Sequence, residues 1–215
     1  MTTPLSLADQ SVFDGTETVT LRARGEVAGP LVAGALRRQA VRQEAQPGDG
    51  TCLSADVRWH LPAGGLPDEP LPGATIVDSQ GEVWTVLAAE LQTLGSRYVC
   101  TCRNLAIAGG LNEYVTLQTA VWTLEQHGAP LAAWSHAGPP LRARLQLQTA
   151  EPQSPHGQPG LSRRYRIYLA ETIPLTASSR FLHNGIPYRI TGHHQPERID
   201  ALFVVEAEEM RNAEC

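Results

Sequence analysis

Two stretches of this chain read as one passage written twice. Residues 72–104, PGATIVDSQGEVWTVLAAELQTLGSRYVCTCRN, set β-branched and apolar residues (Thr75, Ile76, Val77; Val83, Trp84, Val86; Tyr98, Val99) around a polar Asp78-Ser79-Gln80-Gly81 turn. That pattern predicts strand, tight turn, strand, short connection, strand, with Gly81 free to take the positive φ that the turn needs. In residues 180–208, RFLHNGIPYRI is the hairpin, turning at Asn184 and Gly185, and DALFVVEAEE holds the returning strand. Gly81 answers to Gly185, Trp84 to Tyr188, Val86 to Ile190 and Tyr98 to Leu202, each pair 104 positions apart.

The match extends upstream. Glu17-Thr-Val-Thr-Leu21 parallels Glu113-Tyr-Val-Thr-Leu117, and Leu36-Arg37-Arg38 parallels Leu141-Arg142-Ala143. Both copies continue through a glutamine-rich stretch and a Pro/Gly loop (Pro47 to Gly50; Pro152 to Gly160). Asp56-Val-Arg-Trp-His-Leu61 then parallels Arg164-Tyr-Arg-Ile-Tyr-Leu169. Offsets of 96, 105, 108 and 104 differ only by loop lengths, so the chain is read as a tandem duplication. Each copy supplies about six strands between Gly/Pro loops with little helix. The expected fold class is all-β: two tandem small antiparallel β-barrel or sandwich domains related by internal duplication.

The expected layout is an N-terminal arm at 1–16 with Leu5, Leu7 and Phe13 able to dock on a neighbour, a first barrel at 17–106, a second at 111–209, and a tail at 210–215. Val19 and Leu21 face inward on an alternating strand over 17–24, and 25–34, with Gly25, Gly29, Pro30 and Gly34, reads as loop. Residues 35–45 (ALRRQAVRQEA) favour helix by propensity and strand by the repeat. Segment 149–162 (TAEPQSPHGQPGLS) has no apolar residue between Ala150 and Leu161 and is expected to be a long mobile loop.

With 215 residues, 42% hydrophobic and 18% charged, each copy can bury a core. The net charge of −5 is spread as 12 acids to 8 arginines over 1–104 and 10 to 9 over 105–215, so neither half is a basic nucleic-acid clamp. All 17 basic residues are arginine; without lysine there is no Walker A loop, Schiff-base enzyme or kinase-type ATP site. The N-terminus shows no basic and apolar signal segment, which predicts a reducing interior for Cys52, Cys100, Cys102 and Cys215. Cys100 and Cys102, two apart on a strand, point to one face as small core residues. No apolar run reaches the ~18 residues of a membrane span, so a soluble protein without a membrane partner is expected.

The sequence holds no HExxH, GxSxG, CxxC, EF-hand or strand-linked GxGxxG motif, and no cofactor is implied. His183 and His193 with Asp200 could be drawn together as metal ligands; a polar hairpin loop is the alternative reading. Asp78 reads as an Asx-turn residue bonding its own backbone rather than as a catalytic acid. Trp59, Trp84, Trp122, Trp134, Tyr165, Tyr168 and Tyr188 could stack bases, but alternation along strands also suits a barrel core.

In the second copy, Gln126-His-Gly-Ala-Pro-Leu-Ala-Ala-Trp134, Leu141-Arg-Ala-Arg-Leu-Gln146, the long loop, Arg163-Arg-Tyr-Arg-Ile-Tyr168, the hairpin 180–190 and Asp200-Ala-Leu-Phe-Val-Val-Glu206 follow one another in an order that resembles the head–tail joining (head-closure or stopper) proteins of tailed bacteriophages. The resemblance covers about residues 113–209; the first copy is similar more loosely, through Val77-Asp-Ser-Gln-Gly-Glu-Val-Trp84. It implies a non-enzymatic virion protein of the neck, assembled in the host bacterial cytoplasm. Its partners would be its own copies in a six- or twelvefold ring, portal or adaptor proteins on one side and tail-completion or tail-tube proteins on the other, with DNA passing through without sequence recognition. Glu151, Gln153, Ser154, His156 and Gln158 are the implied channel or ring-interface residues, and Asp78, Gly81, Asn184 and Gly185 the hairpin turns. The alternatives are a tandem-barrel binding module for nucleic acid or a small ligand, and another neck component such as a tail-completion ring.

Overall fold

The computed structural model describes residues 15–39, 56–92, 94–124, 130–153 and 160–210, with backbone alone at 130–131, 150–153 and 160–162. Its strands are β1 (Thr16–Arg22), β2 (Leu31–Gln39), β3 (Asp56–Pro62), β4 (Thr75–Val77), β5 (Val83–Leu91) and β6 (Arg97–Arg103). A one-turn helix α1 (Leu105–Ala108) precedes β7 (Glu113–Leu124), β8 (Pro130–His136), β9 (Leu141–Gln153), β10 (Gly160–Leu169), β11 (Ser179–His183), β12 (Ile186–His194) and β13 (Phe203–Glu209). The chain divides into two compact units. The first runs to Ala108 and takes in Arg198–Asp200; the second holds Gly109–Glu197 and the chain from Ala201. Residues 1–14 of the arm expected at 1–16, residues 40–55 with Cys52, and the tail from 211 lie outside the described residues, and Thr16 already belongs to β1.

Unit one is a closed antiparallel barrel in the order β1-β2-β3-β6-β5-β4. Unit two orders its strands β11-β12-β13-β10-β9-β7-β8, and a further β11–β7 pairing closes six of them into a ring. Substituting β7, β9, β10, β13, β12 and β11 for β1, β2, β3, β6, β5 and β4 turns one order into the other. The all-β duplicated fold expected from the sequence is therefore present, with β8 as an addition to the second copy.

Ladder register makes the correspondence residue-specific. Trp59 pairs with Cys100 as Ile167 pairs with Val205, and Leu61 with Tyr98 as Leu169 with Phe203. Glu17 pairs with Ala35 as Glu113 with Ala143, and Leu21 with Ile76 as Leu117 with Phe181. Offsets of 96 and 108 hold along these strands. Two matches shift: Tyr98 corresponds to Phe203, not Leu202, and Ala35 to Ala143, while Leu141 takes the place of Val32 opposite the first-strand valine. The second shift arises at Gly34, where β2 carries an extra residue with φ +75° that β9 lacks. The loop expected over 25–34 consequently ends at Pro30, and Ala35–Gln39 is strand, because ladder partners on both sides override helix propensity.

Inward-facing positions of both ladders form the cores. Unit one packs Val19, Leu21, Val32, Ala35, Trp59, Leu61, Ile76, Trp84, Val86, Cys100 and Cys102; unit two packs Val115, Ala143, Ile167, Leu169, Phe181, Tyr188, Phe203, Val205 and Ala207. Cys100 and Cys102 share the inward face, where burial raises the Cys100 thiol to about 12 and Cys102 well above its usual value, so both are held as thiols. Segment 149–162 differs from expectation. Thr149–Gln153 pair with Gly160–Arg164 as the outer part of the β9–β10 hairpin, since backbone pairing needs no apolar side chains, and residues 154–159 lie outside the described residues.

Candidate functional site

The two hairpin turns differ in construction. In unit one Asp78 Oδ1 accepts from the backbone N–H of Gln80 (3.0 Å) and Glu82 (2.9 Å), the local bonding of an Asx turn, and Gly81 takes φ +82°. Its second oxygen accepts from Trp84 Nε1 (3.0 Å) and Arg37 Nη1 (2.9 Å). The Arg37 guanidinium lies 5.7 Å from the centre of the Trp59 ring and 5.5 Å from that of Trp84. The buried carboxylate thus ties the turn to the barrel wall, and all its bonds are structural. In unit two Asn184 (φ +50°) and Gly185 (φ +79°) make the turn alone, between His183 and Ile186. Each turn is braced by the glutamate that starts the barrel: Glu17 accepts from Ser79 N–H (3.0 Å) and Oγ (2.6 Å), and Glu113 Oε2 lies 3.3 Å from His183 Nε2.

The histidines and Asp200 do not converge. His183 Nδ1 is 2.9 Å from the Tyr114 carbonyl oxygen, whereas Asp200 belongs to unit one, where it accepts from Arg103 (3.2 Å) and Arg198 (2.9 Å). Arg103 also grips Asp56 through two bonds of 2.7 and 3.0 Å. Strand alternation sends the adjacent histidines to opposite sides, and a bulge at Thr191 sets which: His193 shares the face of Val205, its ring 5.8 Å from Phe203, and His194 pairs with Val204 on the outer face, 3.4 Å from Glu206. Among the described residues no cluster of histidine, cysteine and carboxylate suits a metal ion.

The aromatic residues are also dispersed. Trp59, Trp84 and Tyr188 are buried, and Tyr165 stands edge-on to Tyr188 at 5.3 Å. Burial, then neighbouring Tyr165 and Glu209, lifts the Tyr188 hydroxyl to about 12. Tyr168 donates to Gln146 Oε1 (3.1 Å) under the Arg144 guanidinium, and Trp134 stacks at 3.8 Å on Arg180. Trp122 is exposed.

Among the described residues, open surface is found on two projecting hairpins and in a groove. Beyond Arg164, β10 leaves β13 and pairs only with β9. Of the implied channel residues, Glu151 and Gln153 sit on this outer β9 ladder opposite Ser162 and Gly160; Ser154, His156 and Gln158 lie outside the described residues. The second hairpin joins β7 to β8 from Gln118–His136 out to Leu124–Pro130, and exposes Val121, Trp122 and Leu124. The groove, about 590 Å³, is on the outer face of unit one, lined by Arg58, Ala88, Glu90, Leu91, Gln92, Leu94, Val99 and Thr101. Sequence reading missed it because it depends on a bulge at Leu87, between Val86 and Ala88, which turns Ala88 and Glu90 outward and Ala89 toward the core.

No protein family and no curated protein matches this chain. A chain from the virion of a native gene transfer agent (GTA) particle is similar over 46% of this chain and 94% of its own length, at 18% identity and a TM-score of 0.38.

Proposed function

We propose that this chain is a structural protein of a tailed-phage virion, a head–tail connector of the head-closure type that assembles as a ring between portal or adaptor and tail, with DNA passing through its centre. The reading is supported chiefly by the β9–β10 hairpin, which extends past the second barrel where the segment order resembling head–tail joining proteins has its channel loop. The side chains that could suggest catalysis are engaged elsewhere: Asp78 in its turn, His183 at β7, Asp56 and Asp200 at Arg103. The protein then acts through shape, without catalysis or cofactor, and a mildly acidic wall lets DNA slide rather than stick. Two barrels per chain also allow symmetry matching, with half as many subunits presenting the same number of domains.

Deleting residues 151–160 in the virus that encodes the chain tests this. The expected phenotype is DNA-filled heads that leak or fail to join tails, with barrels still folded by circular dichroism. Normal particles, or absence of the protein from purified virions, would overturn the connector role. Twelve subunits per isolated ring, counted by native mass spectrometry, would remove the symmetry-matching rationale alone.

A further inference from the structure

The two copies differ in complementary ways. Where unit one crosses from β1 to β2 through residues 23–30, unit two sends out the β7–β8 hairpin. Alternation and register put Ala120, Trp122 and Leu124 on one face with Ala132 and Trp134, since Ala120 faces Trp134 and Trp122 faces Ala132. The root is fixed: Ala120 is buried, and Arg180 holds both Trp134 and, through Nε at 2.9 Å, Gln118 Oε1. Further out, Trp122 is 60% and Leu124 78% exposed on a ribbon of two strands, an arrangement that is marginal in water without a partner.

The converse holds for the groove. Register equates its Arg58, Ala88, Glu90, Val99 and Thr101 with Arg166, Gly192, His194, Val204 and Glu206 of unit two. There Glu206 fills the site with charge, 3.6 Å from Arg166 and 3.4 Å from His194. In unit one Thr101 stands where Glu206 does and leaves the site open between Arg58 and Glu90, and Leu91 and Leu94, 52% and 80% exposed, extend it with apolar surface. A volume of about 590 Å³ is within the range of sites that enclose a small ligand and so has room for an indole side chain.

We infer that the β7–β8 hairpin of one copy docks, Trp122 foremost, in the Arg58–Ala88–Leu94–Val99 groove of a second copy of this chain. The contact is heterologous: the hairpin of each chain serves the next, leaving a free hairpin and a free groove to continue until a ring closes. It deepens the ring reading above and rests on it. One anchor per contact makes each junction weak alone and strong in a closed ring, so assembly should depend steeply on concentration.

The test uses the full chain with Cys52→Ser and Cys215→Ser, carrying either Leu124→Cys, which keeps Trp122 on the same face, or Leu94→Cys. On mixing under mild oxidation, the 124–94 disulfide between chains should form at least tenfold faster than 124–124 or 94–94 bonds. Trp122→Ser, without added cysteines, should raise the concentration of half-assembly about tenfold or more in sedimentation velocity, while circular dichroism shows intact barrels. If Trp122→Ser misfolds, Thr101→Glu, which copies the charge of Glu206 into the groove, should have the same effect. Preferred 124–124 bonds, or faster 124–94 bonding within one doubly substituted chain at high dilution, overturn the inference. So does groove occupation by residues 1–13 of a neighbouring copy, seen as association that is lost when they are deleted and unchanged by Trp122→Ser. Rings that persist with Trp122→Ser and form no 124–94 bond overturn this contact but leave the ring; a chain monomeric at all concentrations and absent from virions overturns both.

Discussion

Asp78 holds four donors on one carboxylate at 6% exposure, two from its own turn and two from side chains of the wall. Removing the acceptor strands the Trp84 indole N–H and two backbone amides, so Asp78→Ala should cost about 3 kcal/mol of unit one stability in urea denaturation followed by tryptophan fluorescence, and Asp78→Asn about half as much. The sequence exposed half of this site: Asp-Ser-Gln-Gly announces the local turn, but nothing in it reports Arg37, 41 positions away, because that contact exists only once β2 and the turn meet on a closed barrel. His60, on the outer face of β3, is held below its usual value of 6.5 by partial burial and then by Arg38, Arg97 and Arg58. The unfolded chain takes up that proton near pH 6.5 and the folded chain only at lower pH. Stability should therefore fall as pH drops from 6.5 toward the folded value, and His60→Gln should flatten that part of a melting-temperature profile.

Among the elements, strands with strong alternation were legible from the sequence and irregularities were not. Val19 and Leu21 announce β1, and the pairing of Glu17 with Glu113 survives in the ladders because nothing interrupts either first strand before its glutamate meets alanine. A bulge adds one residue without changing the flavour of a strand, so Leu87 and Thr191 left no mark and the outer groove went unseen with them, while Gly34 read as loop. Loop 149–162 was misjudged because its polar composition describes side chains, whereas the hairpin there is a backbone ladder. Close approach sets a further constraint. A Cβ on Gly29 would sit 1.9 Å from the Leu21 carbonyl oxygen, so Gly29→Ala must push the β1–β2 loop off its strand, with an expected cost of about 2 kcal/mol or more in chemical denaturation. Gly185→Ala meets no atom but inherits φ +79°, and about 1 kcal/mol is expected there by the same measurement.

At the scale of the molecule, each unit has its own buried cluster and its own closed set of strands. Trp59→Ala and Phe181→Ala each empty the centre of one cluster and should cost that unit about 3–5 kcal/mol. Urea unfolding of either variant should then become biphasic, the altered unit melting first; a single transition shifted as a whole to lower urea would show that the two unfold as one. The duplication was readable because matched residues recur in order, and the specialisation of the copies was not, since it lies in a hairpin added to one and a salt-bridged face closed in the other. The extra residue after Val86 recurs after Ile190. Losing it from either copy would exchange the inside and outside of every side chain beyond it. Because both carry it, recombination between the halves at that point keeps the parity of the strand, and cassettes such as 88–103 and 192–208 are interchangeable without turning a barrel inside out.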